Sequence, residues 1–131
     1  MKKLALTTFF LLAGTAMALA NGSDSLKGTA WGLANDTAPR PVQIVFGEDG
    51  RVSGSLGCNR FGGVYIETGT SLTFGGLFST RMACPEPGMS NEHKVSEALS
   101  ATQQFEKKDG ALILKNADGG IVLELVPGKA E

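Results

Sequence analysis

The side chains of this 131-residue chain that could do chemistry are few, and they crowd into one stretch. Its two cysteines, Cys58 and Cys84, stand 26 positions apart, with Asn59, Arg60, Ser79, Thr80 and Arg81 beside them. Two cysteines in a secreted chain point to one disulfide, for which only one intramolecular connectivity exists. Loop-closure entropy gives such a link roughly 3 kcal/mol of stabilisation. The rival readings are a reactive thiol pair and a metal site. A redox pair would normally show Cys-x-x-Cys. Zinc needs four ligands, and this chain offers one histidine, His93, and no acids clustered around the cysteines.

Catalytic sets are hard to assemble. Any Ser-His-Asp triad would have to use His93, which falls between Glu92 and Lys94 in the first turn of an expected helix and reads as a solvated surface residue. The acids Glu48, Asp49, Glu67, Glu86 and Glu92 show no pairing in the sequence. The pairs Gly62-Gly63 and Gly75-Gly76 are not followed by Gly-Lys-Ser/Thr, so they read as turns or bulges rather than a phosphate loop. The expectation is therefore no catalytic residue, no metal, no cofactor, and a protein that is not an enzyme. For Asn59, Arg60, Ser79, Thr80 and Arg81 two readings stand. They seat the disulfide, Asn59 satisfying backbone groups at a bend, or they form a small polar patch that contacts an anionic partner.

The elements that must position these residues are mostly short strands. Thr29–Leu33 reads as a first strand containing the single tryptophan, Trp31, and 35–41 as a loop with Pro39 and Pro41. Val42–Phe46 places Val42, Ile44 and Phe46 on one face. Asp49-Gly50 turns the chain into a partner strand over Arg51–Gly57. Arg60–Glu67 follows, with Phe61, Val64 and Ile66 supplying apolar surface. Next come Leu72–Phe74 and Leu77–Met82, interrupted by Gly75-Gly76. Pro85 to Gly88 ends the strand-rich part. The period then changes: Val95, Ala98, Leu99 and Thr102 form a helical stripe. This predicts one main helix over about 91–101, with Asn91 as N-cap and Glu92 in its first turn. Gln104–Lys107 and Ala111–Lys115 form a hairpin through Asp109-Gly110, and Ile121–Val126 closes the domain. The fold class expected is α+β: a small antiparallel, strongly bent sheet or partly open β-barrel, with the helix covering one side.

The first twenty residues read as a leader. A basic start, Met1-Lys2-Lys3, precedes an apolar run from Leu4 to Leu19, and Ala18-Leu19-Ala20 has the form of a signal-peptidase site. The run is about sixteen residues, short of the roughly 20 that span a bilayer. Cleavage after Ala20 leaves 111 residues, with formal charge −3 in place of −1 once Lys2 and Lys3 are gone. That balance gives no basic footprint for nucleic acid, and no transmembrane segment is expected after cleavage. The expected organisation is a signal peptide over 1–20, a flexible lead-in over 21–28, one domain over 29–126 and a tail over 127–131.

Two motifs carry a resemblance. Leu56-Gly57-Cys58-Asn59-Arg60-Phe61 resembles the Gly-Cys-Asn-Arg-Phe/Tyr motif of the META domain, or HslJ-like, family. Thr80-Arg81-Met82-Ala83-Cys84 resembles its Thr-x-Met-x-Cys signature, and Met89 with Glu92 the Met-x-x-Glu opening of the helix that follows. The resemblance extends from about Thr29 to Val126. It implies a secreted or envelope protein, with members linked to heat shock, motility, secretion or virulence. It also implies pairing of Cys58 with Cys84, and a fold similar to a cracked-barrel secretion pilot that binds lipid. Gly57, Asn59, Arg60, Phe61, Thr80, Arg81, Met82 and Glu92 are carried over as family-motif residues, structural or binding. No lipid-attachment cysteine follows Ala20, which favours a soluble periplasmic or exported monomer.

The expected function is a non-enzymatic stress-response or envelope-integrity module with an unknown protein or lipid partner. It requires an apolar patch or an open groove between helix and sheet, lined by residues such as Phe61, Phe78 and Leu99. The alternatives are a pilot-type protein for a small lipid or a secretion partner, a secreted protease inhibitor presenting the Pro85–Ser90 loop, and a hydrolase. The last requires a cleft with convergent polar groups.

Overall fold

The computed structural model describes residues 24–128. The leader, its cleavage point, residues 21–23 and the last three residues of the tail lie outside them. The strands are β1 (Thr29–Gly32), β2 (Gln43–Phe46), β3 (Arg51–Ser55), β4 (Arg60–Thr68), β5 (Ser71–Ser79), β6 (Gln104–Lys108), β7 (Ala111–Lys115) and β8 (Ile121–Pro127). A single helix, α1 (Gly88–Ala101), falls between β5 and β6. All strand pairs are antiparallel, in chain order, and β1 pairs with β8 to close a barrel. The expected bent sheet with one helix is thus a closed ring. Among the described residues no helix is long and apolar enough to cross a membrane.

Alternation builds the barrel's interior. Val42, Ile44 and Phe46 of the second strand region, Leu112 and Leu114 of β7, and Leu123 and Leu125 of β8 are buried together. Val95, Ala98 and Leu99 of the helix are buried against them, and Thr102, at the helix C-cap, turns its Oγ1 back to the Ala98 carbonyl at 2.7 Å. Asp109 (φ 53°) and Gly110 (φ 82°) both take the left-handed region, as the two-residue β6–β7 turn requires.

Several expectations are corrected. Phe61 and Tyr65 face inward, while Val64 and Ile66 are exposed. With a period of two, positions 61 and 65 share one face and positions 64 and 66 the other. Tyr65 packs edge-on against Phe46, with ring centroids 4.9 Å apart, and donates its hydroxyl to the Gly47 carbonyl at 2.6 Å. The fifth strand is continuous through Gly75-Gly76. There Gly76 and Leu77 together oppose Gly63, a bulge that holds β5 on β4.

The described part of the lead-in is docked rather than loose. Leu26 is fully buried, and its N–H and the Ser25 hydroxyl both donate to the Glu67 carboxylate. The sheet also runs one residue past Val126, because Pro127 pairs with Trp31, and the Gly128 N–H donates to the Ala30 carbonyl.

The helix starts at Gly88, three residues before the expected Asn91, and its N-cap is Pro87. Asn91 lies inside the helix and donates instead to Asp36 Oδ1 at 3.3 Å. That carboxylate also accepts from the N–H groups of Ala38 and Val42, so it organises the 35–41 loop. Near the helix start, Glu86 Oε1 accepts the Ser90 N–H at 3.0 Å, and hydrogen bonding from Ser90 holds the Glu86 carboxyl below its usual range.

Candidate binding site

The motif residues converge on one buried side chain, Asn59, which is 2% exposed. It sits in the turn between β3 and β4. Its amide N–H donates to Glu92 Oε1 at 2.8 Å, and its Nδ2 donates to Glu92 Oε2 at 2.8 Å and to the Met82 carbonyl at 3.2 Å. Its Oδ1 accepts from the Thr80 hydroxyl and from the Met82 N–H, both at 2.7 Å. Its carbonyl accepts the Leu56 N–H at 2.9 Å. Every polar group of Asn59 is therefore used, as burial demands. One side chain ties the β3–β4 turn, the strand after β5 and the helix together.

The disulfide stands alongside. Cys58 and Cys84 are bonded, with Cα atoms 5.8 Å apart, within the normal range for such a bridge. Cys58 is fully buried, and Arg40 donates to its carbonyl at 2.9 Å. Gly57 precedes it at φ +119°, and an added Cβ there would lie 2.9 Å from the Gly88 carbonyl oxygen. An added Cβ on Gly88 would in turn lie 2.9 Å from the Gly57 carbonyl oxygen. Backbone packs on backbone where the helix begins, so glycine is needed on both sides.

Of the predicted site residues, Gly57, Cys58, Asn59, Thr80, Met82, Cys84 and Glu92 thus form one cluster. Of the polar patch expected there, Asn59 is turned inward and accepts from the Thr80 hydroxyl, whereas Arg60, Ser79 and Arg81 are exposed. Arg60 is exposed and joins through its backbone: its N–H donates to Thr80 Oγ1 and its carbonyl accepts the Thr80 N–H. His93 is exposed on the helix, beside Lys94 and Glu97.

The remaining predicted residues lead to a surface. Between the helix and β5 lies a groove of about 230 Å³. Its floor is made by Leu56, Phe61 and Leu99, which are buried, and its rim by Leu77, Phe78, Arg81 and helix residues Ser96 and Ser100. Phe78 is 69% exposed, its ring lying over Gly62, where an added Cβ would come within 2.7 Å of it. The expected trio of Phe61, Phe78 and Leu99 does line this groove. Leu56, Leu77, Ser96 and Ser100 complete the lining without a signal in the sequence, since nothing in their spacing brings the helix against β5.

Comparison with known proteins bears on this geometry. The family model of the META domain matches residues 24–127, the whole barrel with its helix. The chain belongs to the META domain family. In this META domain the two short motifs are halves of one structure, Asn59 coming from the first and its partners Thr80 and Met82 from the second. Over 86 residues the chain is 35% identical to the heat shock protein HslJ of Escherichia coli (strain K12), covering 65% of this chain and 61% of that protein. The matched region thus spans about three fifths of that relative's length. An NMR structure of a protein from Burkholderia xenovorans shares the fold with a TM-score of 0.63 at 23% identity, over 92% of this chain and 100% of that one. A second NMR structure gives a TM-score of 0.58 at 28% identity, over 76% of this chain and 89% of that one.

Proposed function

We propose that this META-domain protein is a non-enzymatic, stress-associated binding module of the envelope or the secreted space, and that it receives its partner in the groove between α1 and β5. The observation that carries the reading is Phe78, a large aromatic ring held 69% exposed above a buried apolar floor. Exposed apolar surface of this kind marks contact sites. The motif cluster supports the same view: its polar groups are consumed in seating the helix, and a seated helix forms one wall of the groove. The relative's name, a heat shock protein, favours a stress role. A disulfide belongs to an oxidising compartment, in keeping with the leader read from the sequence.

A small-lipid pocket of pilot type fits less well. A groove of about 230 Å³ is below the ~300–1,000 Å³ usual for ligand pockets, and better suits one or two side chains of a protein partner.

The test is photocrosslinking in heat-stressed cells, with a photoreactive residue at position 78 and, as control, at position 109 on the β6–β7 turn. A discrete partner captured from position 78 and not from 109 is the expected result. Identical products from both positions, or none from 78, would remove the groove as the contact surface.

A further inference from the structure

The fifth strand is paired along the whole of one edge and at a single residue pair on the other. β4 follows it from Phe61↔Ser79 to Thr68↔Ser71, whereas β6 meets its other edge at Ser71↔Gln104 alone. Just two backbone bonds flank that contact, Leu72 N–H to the Gln103 carbonyl and Phe105 N–H to the Thr70 carbonyl. Beyond Leu72 the edge turned away from β4 has no strand against it. On that side the helix flanks β5 across the groove, and a helix uses its own backbone groups internally, so it offers β5 no ladder partner.

The groups on that edge can be named. The Thr80 N–H donates to the Arg60 carbonyl at 3.1 Å, so that pair faces β4. The alternation of an antiparallel ladder then turns the N–H and carbonyl of Ser79 the other way. Residues 76–83 are exposed throughout. Of the six large hydrophobic residues exposed among the described ones, five lie on β4, β5 or the segment just after: Val64, Ile66, Leu77, Phe78 and Met82. Proteins usually blunt an edge with charges, proline or a covering element, yet Ser71–Ser79 contains neither a charge nor a proline. The one charged side chain lining the adjoining groove is Arg81, and no carboxylate among the described residues pairs with it.

We propose that β5 accepts an extended segment of a partner polypeptide as an added strand. An apolar side chain of that segment sits between Phe78 and Leu99, and an acidic side chain meets Arg81. Main-chain bonds then supply affinity and alternate side chains supply specificity. The occupant is a peptide because the edge offers backbone donors and acceptors, which a lipid chain does not use. It is acidic because the groove's only charge is positive. The proposal rests on the groove being the contact surface and adds the mode of binding and the chemistry of the partner.

A random-peptide display library panned against the mature protein tests it, with the selected peptides titrated into isotope-labelled protein by NMR. Enrichment of sequences alternating apolar residues with Asp or Glu is expected, with amide shifts concentrated over residues 73–81. Methylating alternate backbone nitrogens of a selected peptide should weaken it about tenfold or more, since several main-chain bonds are lost at once. Arg81→Glu should weaken the same peptide and turn selection towards basic sequences. Ser79→Pro removes the outward N–H without touching the ladder to β4, and should abolish binding while the thermal transition persists. Peptides that map to the groove but tolerate methylation would overturn strand addition and leave the groove reading standing. No enrichment, or shifts elsewhere on the barrel, would overturn both. Shifts at the groove with phosphatidylglycerol vesicles and none with peptides would replace the peptide by a membrane surface.

Discussion

Asn59 and Glu92 form a doubly bonded contact, charged on one side and buried on the other. Asn59 is buried, and both donors and the acceptor of its side chain, together with its backbone N–H, are engaged with Glu92, Thr80 and Met82. Asn59→Ala leaves the Met82 N–H and Glu92 Oε2 without these partners, while the backbone N–H at position 59 can still donate to Glu92 Oε1. A buried unsatisfied group costs about 1–3 kcal/mol and a lost bond to a charged group somewhat more, so this variant should lose about 3 kcal/mol or more in urea unfolding. Glu92→Gln keeps the shape and one acceptor but sets an amide against Asn59 Nδ2, so a smaller loss of about 1–2 kcal/mol is expected. Equal losses in the two variants would mean that the carboxylate, not Asn59, organises the cluster. The sequence placed both residues in motifs but showed no reason to join them. Glu92 had an adequate local explanation as a first-turn acid, and a contact spanning 33 positions leaves no periodic trace.

At the scale of elements, legibility followed periodicity. Val42, Ile44 and Phe46 were readable because alternation alone assigns their face, and Val95, Ala98 and Leu99 because a helix repeats at 3.6 residues. The start of the helix was not readable, because Gly57 and Gly88 fix it by backbone contact and Asn91 serves the 35–41 loop instead of capping. Gly57→Ala tests that contact. It combines a left-handed φ with a clash against the helix, whereas Gly50→Ala meets a left-handed φ (+88°) with nothing within 4 Å. Gly57→Ala should therefore be the more destabilising, by roughly 1–3 kcal/mol, and chemical shifts in the first helical turn should move in that variant only. The disulfide acts on the same junction from outside. Replacing Cys58 and Cys84 by serine together should lower unfolding free energy by about 2–4 kcal/mol, measured with and without reductant. A reductant effect persisting in the double variant would show that the bridge is not its source.

At the scale of the whole molecule, one buried phenol ties stability to alkaline pH. Burial raises the pKa of Tyr65 above its ordinary 10.0, and the nearby carboxylates Glu67, Asp49 and Glu48 raise it further. Because the folded state binds that proton more tightly, the contribution of this group is fully present below pH 10.0 and is lost as pH rises through the folded-state value. Tyr65 is the chain's only tyrosine, so ultraviolet titration of the native protein reads it directly and should give a midpoint above 10.0. Tyr65→Phe should lose the alkaline decline attributable to this group, together with the bond to Gly47. An identical decline in both proteins would place the sensitivity elsewhere. The barrel has one further property, and it concerns connectivity. Since β8 closes onto β1, with Pro127 opposite Trp31 and the Gly128 N–H on the Ala30 carbonyl, the exit from β8 lies beside the start of β1, while the lead-in before it is bonded to Glu67 and Lys107. A circular permutant that bridges Gly128 to Asp24 with a glycine linker long enough to cross the end of the barrel and opens at Asp109-Gly110 should fold to the same barrel, and its amide spectrum should match away from the two edited segments.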